Sequence, residues 1–154
     1  MAKKLSSHLE VPIVHEYART YLESNGPTYD LSDLKRIEEG QQNSEKAYWN
    51  SDFDTVIHDT DFLTLWIWYS YKYNIFPDRV YNYLQRHLPD LYLLCYPDIP
   101  WEQDELRENP NDGLELYRLY KAEIEKLGVP FEEIKGSHNS RTRLCISAIE
   151  KILT

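Results

Sequence analysis

Four short apolar segments, each followed by a segment of helical pattern, constrain the fold of this sequence more than any other feature. The apolar segments cover residues 11–14, 54–59, 91–95 and 131–134. Strands that alternate with helices form parallel sheets, because each crossover connection lays a helix on one face of the sheet. The length of 154 residues is that of one domain. We therefore predict an α/β fold over residues 1–154, with a parallel sheet between two layers of helices.

Apolar spacing and capping residues predict the helices and the core. Asp30 and Ser32 are suitable caps for a long polar helix. The run over residues 62–73 is almost entirely apolar and aromatic and is too long for a strand, so we predict a buried helix with its Tyr and Trp side chains in the core. Cys95 and Cys145 each lie in an apolar run, which predicts two buried, reduced thiols. The predicted helices cover residues 2–10, 16–23, 31–50, 62–73, 78–88, 112–127 and 140–153.

The charge balance limits the classes of partner. The formal net charge is −9, whereas proteins that bind duplex nucleic acid depend on Lys and Arg contacts with phosphates. No apolar stretch approaches the roughly 18 residues of a membrane-spanning helix. The N-terminus has no signal-peptide pattern, because residues 6–10 are mostly polar where an apolar segment should stand. We expect a cytoplasmic protein with a small-molecule ligand and with neither a nucleic-acid nor a membrane partner.

Active sites in open parallel sheets lie at the carboxyl ends of the strands, which draws attention to the residues that follow each apolar segment. Asp59 ends the second one and Asp61 lies two residues further on, and a carboxylate there can hold Mg²⁺ through water or accept a proton from a hydroxyl nucleophile. One of the two is also expected to cap the next helix. Glu16 and Arg19 share one face of a helix start. They are suited to a hydroxylated, charged substrate, and a surface ion pair is the alternative.

The polar segment after the third apolar run contains two further candidates. Arg107 is suited to clamping a phosphate with two parallel hydrogen bonds, and Trp101 is suited to stacking on a flat ring. The alternative is a packed Trp and a solvated Arg. The five His residues show no spacing typical of a metal site, so no zinc site is expected.

The sequence contains no phosphate-binding loop of the common type. Such a loop requires G-x-x-x-x-G-K-[ST], in which backbone N–H groups and a Lys surround the phosphates. None of the five glycines is followed by Lys-Ser or Lys-Thr. The motifs of the sequence therefore predict no nucleotide-phosphate loop.

Five segments nevertheless follow one another in a familiar order. They are EYAR at residues 16–19, DTDF at 59–62, PDIPW at 97–101, DELR at 104–107, and the closing segment 129–149. Together they resemble the nicotinamide riboside kinase domain of the NadR type, a P-loop kinase. The resemblance implies a P-loop kinase fold with parallel strands in the order 2-3-1-4-5. It also implies transfer of the γ-phosphate of ATP, with Mg²⁺, to the 5′-hydroxyl of nicotinamide riboside in NAD salvage.

The resemblance also implies roles for individual residues. Asp59 and Arg107 would be catalytic, and Asp59 would also hold the Mg²⁺. Ser137 and Asn139, in the loop before the last helix, would lie near the adenine of ATP. In the lid, Glu105 stands where the family more often has Gly, which departs from the lid's usual backbone. The substrate-binding residues would be Glu16, Arg19, Asp61, Trp101 and Asp104.

One departure from the family is large. In the family, a strand and the phosphate loop precede the helix that begins here at residue 2. We therefore expect the central strand to be absent and the chain to be inactive as a kinase. A start codon assigned too late, a real truncation or a fragment would each explain this, and a helix that begins uncapped at residue 2 favours the first. The alternative function is a non-catalytic protein of the same descent that binds a nucleotide, a nucleoside or another protein.

Overall fold

The computed structural model describes residues 1–49, 51–99 and 111–154. They form two compact units, Met1–Tyr81 and Asn82–Thr154. Within these residues there are seven helices and four short strands, which confirms the predicted α/β class. The elements are α1 Ala2–Leu9, β1 Ile13–Val14, α2 Tyr17–Asn25, α3 Leu31–Lys46, β2 Ile57–His58, α4 Phe62–Tyr73, α5 Asp78–Arg86, β3 Tyr92–Cys95, α6 Gly113–Leu127, β4 Phe131–Ile134 and α7 His138–Leu153.

In the first unit, β1 and β2 pair in parallel, with Ile13 opposite Ile57 and Val14 opposite His58. The Asp59 N–H donates to the Val14 carbonyl at 2.9 Å, so the ladder ends at the residue after β2. The expected buried strand over residues 54–59 is wrong in two respects. β2 has two residues, and neither is fully buried. The reason is that β1 offers only two residues to pair with, so most of the predicted segment has no ladder partner.

In the second unit, β3 and β4 pair in parallel over four residues each, from Tyr92 opposite Phe131 to Cys95 opposite Ile134. α6 packs against β3, and α7 packs against β4. The family order 2-3-1-4-5 places strand 2 beside strand 3 and strand 4 beside strand 5. If β1 to β4 of this chain correspond to family strands 2 to 5, the observed pairs β1–β2 and β3–β4 are those two pairs. The absence of the central strand and the three-layer arrangement stay predictions.

The two cysteines differ in burial. Cys145 on α7 is fully buried, as predicted, and burial raises the pKa of its thiol to about 11. Cys95 is exposed, so its predicted burial is wrong. Successive side chains of a strand point to opposite faces. Because Leu94 is the buried residue at this end of β3, the next side chain points away from the core.

Two helices of the first unit carry the site. α3 begins in a capping box, in which the Asp30 carboxylate accepts from the N–H groups of Ser32 and Asp33. α4 has the predicted bounds, and Trp66 and Tyr69 on it are buried, as expected. None of the described helices is long and apolar enough to cross a membrane.

Candidate functional site

The parallel pairing of β1 and β2 brings two loops together at one edge. β1 leads into α2 through Glu16, the N-cap of that helix, and β2 leads into α4 through Asp61, the N-cap of α4. The carboxyl ends of parallel strands meet at the same edge of a sheet, so both carboxylates are delivered to one place. The loops after β1 and β2 therefore define the candidate site of the first unit.

A pocket lies between these loops and the helices α3 and α4. It is small and partly open to solvent: its enclosed space is about 10 Å³, room for about one water molecule. Two of the predicted substrate-binding residues, Glu16 and Asp61, are among its lining residues, as is one aromatic ring, Trp68. We call it the Glu16–Asp61 pocket. It is lined by Glu16, Ala18, Ile37, Gln41, Thr60, Asp61, Thr64, Leu65 and Trp68.

Asp61 also caps a helix, which confirms the expectation that one of the two Asp residues does so. Its Oδ1 accepts from the Leu63 N–H at 3.0 Å. Glu16 makes no side-chain hydrogen bond to the start of its own helix. Its Oε2 lies 3.9 Å from the Arg19 Nε instead.

Arg19 lies on the exposed side of α2. Its side chain is 44% exposed and lies between Glu16 and Glu23, with the second distance 4.0 Å. This is the surface ion pair that the sequence left as the alternative. A contact between Arg19 and substrate stays a prediction.

Gln41 is a residue of the pocket that the sequence analysis missed. It is 3% exposed and sits on the inner face of α3. Its Oε1 accepts from the Tyr17 N–H at 3.1 Å, and its Nε2 donates to the Thr60 carbonyl and to Glu45 Oε1, both at 3.2 Å. No local sequence pattern predicts this role, because the two loop residues that Gln41 binds, Thr60 and Tyr17, lie 19 and 24 positions away in the chain.

Glu45, one turn further along α3, adds a buried carboxylate beside the end of β2. It is 4% exposed, and its Oε1 lies 3.9 Å from the Nδ1 of His58. Burial lowers the pKa of the His58 imidazole, which favours the neutral ring. The loop after β2 is thus held against α3 by the hydrogen bond from Gln41 to the Thr60 carbonyl.

Trp68 is the second residue that the sequence analysis missed, since it was assigned to the core. It is half-buried, and its Nε1 donates to the Tyr29 hydroxyl at 2.5 Å. The two rings meet edge to face with their centroids 4.9 Å apart, and Lys72 Nζ lies 3.7 Å from the Tyr29 ring. These contacts fix the indole plane at the pocket wall. The signal was the helical spacing of Asp61, Thr64 and Trp68, which places them on one face of α4.

Asp59 lies beyond the end of β2 with an exposed side chain. Over the part of the chain that the structure describes, no group of three or more His, Cys, Asp or Glu side chains is arranged to hold a metal ion. A single carboxylate is compatible with Mg²⁺, which usually keeps several waters and takes one or two protein carboxylates together with substrate phosphates. The metal and catalytic roles of Asp59 stay predictions.

The second unit contains the two residues predicted to lie near adenine. Ser137 is the N-cap of α7, and its Oγ accepts from the Ser140 N–H at 3.3 Å. Asn139 is exposed in the first turn of that helix. Capping accounts for Ser137, and contacts of both residues with ATP stay predictions. The remaining predicted site residues, Trp101, Asp104 and Arg107, lie outside the described residues.

A buried arginine ties together the loops that follow β3 and β4. Arg141 on α7 is 4% exposed. Its guanidinium donates to the carbonyls of Gly136 and Tyr96 at 2.8 and 2.6 Å, and to Asp98 Oδ1. Asp98 Oδ2 in turn accepts from the Gly136 N–H at 2.7 Å. The hydrogen bond from the Gly136 N–H is the main cause that lowers the pKa of Asp98, and the charge of Arg141 adds to it. Partial burial of the carboxyl acts in the opposite direction.

A comparison with protein families gives one match. A family model described as an AAA domain matches residues 1–141. No curated protein matches the chain.

Proposed function

We propose a nucleoside-binding function of the kinase type for this chain, which belongs to the AAA domain family of P-loop, nucleotide-binding domains. Members of that family generally bind ATP and Mg²⁺. In our proposal the phosphoryl acceptor binds over the mouth of the Glu16–Asp61 pocket, against the residues that line it. The acceptor is a nucleoside with a positively charged flat ring, and nicotinamide riboside is the member of that class that the sequence resemblance implies.

One observation carries the proposal: Glu16 and Asp61, from two different loops, line the same pocket as the fixed indole of Trp68. Carboxylates accept hydrogen bonds from the vicinal hydroxyls of a ribose, and such charge-assisted bonds are the stronger kind. An indole face attracts a cationic ring as well as a flat one. Two carboxylates beside an aromatic wall therefore favour a pyridinium nucleoside over a neutral nucleoside.

The side chains that line the pocket fit a nucleoside better than they fit the triphosphate of ATP. The triphosphate requires a cradle of N–H groups with a Lys, and the sequence contains no such loop. On the acceptor side, Glu16 and Asp61 would orient the ribose. Asp59, exposed at the end of β2, would accept the proton of the attacking hydroxyl or hold Mg²⁺ through water.

A second candidate function is favoured by residues 1–154 themselves, which contain no phosphate-loop motif. It is a non-catalytic protein that binds the same nucleoside in the same pocket. The two candidates differ in one measurement, the formation of nicotinamide mononucleotide from nicotinamide riboside with ATP and Mg²⁺. Product formation supports the kinase, and binding without product supports the non-catalytic protein.

The first prediction tests the pocket by charge removal. We expect Glu16→Gln and Asp61→Asn each to weaken nicotinamide riboside binding about tenfold or more, because each removes a charged acceptor from a ribose hydroxyl. Asn caps a helix as well as Asp does, so α4 should keep its start. The measurement is isothermal titration calorimetry, with uridine as the neutral nucleoside for comparison.

The matched control is Glu23→Gln. Glu23 lies on the same helix as Glu16 and pairs with Arg19, but it is exposed and outside the lining of the pocket. Its substitution should leave the affinity unchanged. If the wild-type chain binds neither nucleoside, or if the two pocket variants bind nicotinamide riboside as tightly as the wild type, the proposed site is wrong.

The second prediction concerns Asp59 and uses Mn²⁺ as the probe. We expect Mn²⁺ at low stoichiometry to broaden the amide resonances of residues 58–60 by paramagnetic relaxation. Asp59→Asn should strongly reduce this broadening, because a neutral amide binds a hard divalent cation more weakly than a charged carboxylate does. Asp54→Asn is the control, since Asp54 is an exposed carboxylate on the same segment. Equal broadening in the Asp59 variant would remove this residue as a metal ligand.

A further inference from the structure

We infer that Gln41 is a positioning residue of the Glu16–Asp61 pocket, which sets the separation of the two carboxylates by holding the main chain next to each of them. The inference rests on the proposed function. It assigns a task to a buried side chain that neither the sequence motifs nor the family assignment explains.

Gln41 makes one hydrogen bond next to each of the two carboxylates of the pocket. Its Oε1 accepts from the N–H of Tyr17, the residue directly after Glu16. Its Nε2 donates to the carbonyl of Thr60, the residue directly before Asp61. One planar amide thus bridges the start of α2 and the loop after β2. A shift of either loop would lengthen one of these two hydrogen bonds.

The bond to Tyr17 has a specific structural role. The first N–H groups of a helix have no partner within the helix and need one from elsewhere. At α2 the N-cap residue Glu16 makes no side-chain cap, and the acceptor comes from α3 instead. The start of α2 is therefore fixed by a residue that lies inside the pocket lining, so the position of Glu16 depends on that residue.

Only an amide of this length fits the arrangement. A neutral amide offers an acceptor and two donor hydrogens at one end, and Gln41 uses both kinds of group. A carboxylate at this position would accept from Tyr17 but could not donate to Thr60. It would also place a second negative charge next to the buried Glu45, whose Oε1 accepts from Gln41 at 3.2 Å. An apolar side chain would leave buried polar groups without their partners, which is costly.

The test is Gln41→Met, which keeps the length and straight shape of the side chain and removes both polar atoms. Without ligand, hydrogen exchange of the Tyr17 amide should accelerate about tenfold, because that N–H loses its acceptor. Nicotinamide riboside binding should weaken about tenfold to a hundredfold, the effect expected when binding groups are misplaced by about 1 Å. Gln42→Met is the matched control, since the half-buried Gln42 is the next residue on α3 and its amide oxygen accepts from Lys46.

A double-mutant cycle separates positioning from a merely structural role. If Gln41 acts through the two carboxylates, Glu16→Gln and Asp61→Asn should weaken binding much less in the Gln41→Met background than in the wild type. The second variant, in case Gln41→Met does not fold, combines Gln41→Glu with Glu45→Gln, so that only one of these two buried side chains is a carboxylate. It keeps the acceptor for Tyr17 and removes the donor to Thr60, so exchange at the Tyr17 amide should match the wild type while affinity still falls.

Each result decides a different point. Wild-type affinity in both Gln41 variants overturns the inference while the proposed function stands. Weaker binding with fully additive effects of Glu16→Gln and Asp61→Asn also overturns it, because Gln41 would then act on stability alone. Failure of the wild-type chain to bind nicotinamide riboside overturns the proposed function, and the inference with it.

Discussion

Replacing Gly40 by alanine is expected to destabilise the first unit by about 2 to 3 kcal/mol, the usual cost of overpacking a well-packed site. A Cβ at this position would lie 2.0 Å from Cε1 and 2.2 Å from Cζ of the Tyr17 ring. These distances are far inside van der Waals contact, so the ring or the helix must move. In a helix, alanine is favoured over glycine by about 1 kcal/mol. That gain is smaller than the clash, and the net effect is a loss.

Urea unfolding of Gly40→Ala measures this loss, and Tyr17→Ala supplies the control. With the ring removed, Gly40→Ala should no longer clash and should stabilise α3 by about 1 kcal/mol through helix propensity. The sign of the alanine effect thus reverses between the two backgrounds. An equal effect in both backgrounds would show that Tyr17 is not what the new methyl group meets. Because the Tyr17 N–H is bound to Gln41, Gly40→Ala should also weaken nicotinamide riboside binding.

The sequence predicted the helices better than the strands for a physical reason. Helix α4 has the predicted bounds, and the start of α3 was marked by Asp30, because helix signals are local to the segment itself. A strand is defined by its partner. β2 was predicted over residues 54–59 and covers Ile57–His58, since its length is set by the two residues that β1 offers.

The same distinction applies to the candidate site. Glu16 and Asp61 were predicted because they lie in the short segments that follow predicted strands, and the structure places both in the lining of one pocket. Gln41 could not be predicted, because its role depends on contacts with two distant loops. Trp68 was assigned to the core because its segment is apolar throughout. Only the packed structure shows which face of α4 meets the buried core and which meets the pocket.

Arg141 gives the second large expected effect, in the second unit. Arg141→Met keeps most of the volume of the side chain and removes the buried guanidinium. It deprives the carbonyls of Tyr96 and Gly136, and the carboxylate of Asp98, of a donor. We expect a loss of about 2 to 3 kcal/mol, because two part-buried carbonyls lose their hydrogen-bond donor. Hydrogen exchange of the Tyr96 amide, which donates to the Ile134 carbonyl at 2.9 Å, should accelerate about a hundredfold.

The control for Arg141→Met is Arg143→Met, which alters an exposed arginine on the same helix and should leave the exchange rate unchanged.

The dependence of stability on pH gives a second readout. The pKa of Asp98 lies below its usual value of 3.8 in the folded chain, chiefly because of the Gly136 N–H, with Arg141 contributing. Its stabilisation is therefore present above pH 4 and is lost as the pH falls through the lowered pKa. Without Arg141 the pKa of Asp98 should lie closer to its usual value, so the loss of stability in acid should become shallower. An unchanged acid dependence in Arg141→Met would mean that the Gly136 N–H alone holds the Asp98 carboxylate. The guanidinium would then stabilise the unit through the two carbonyls.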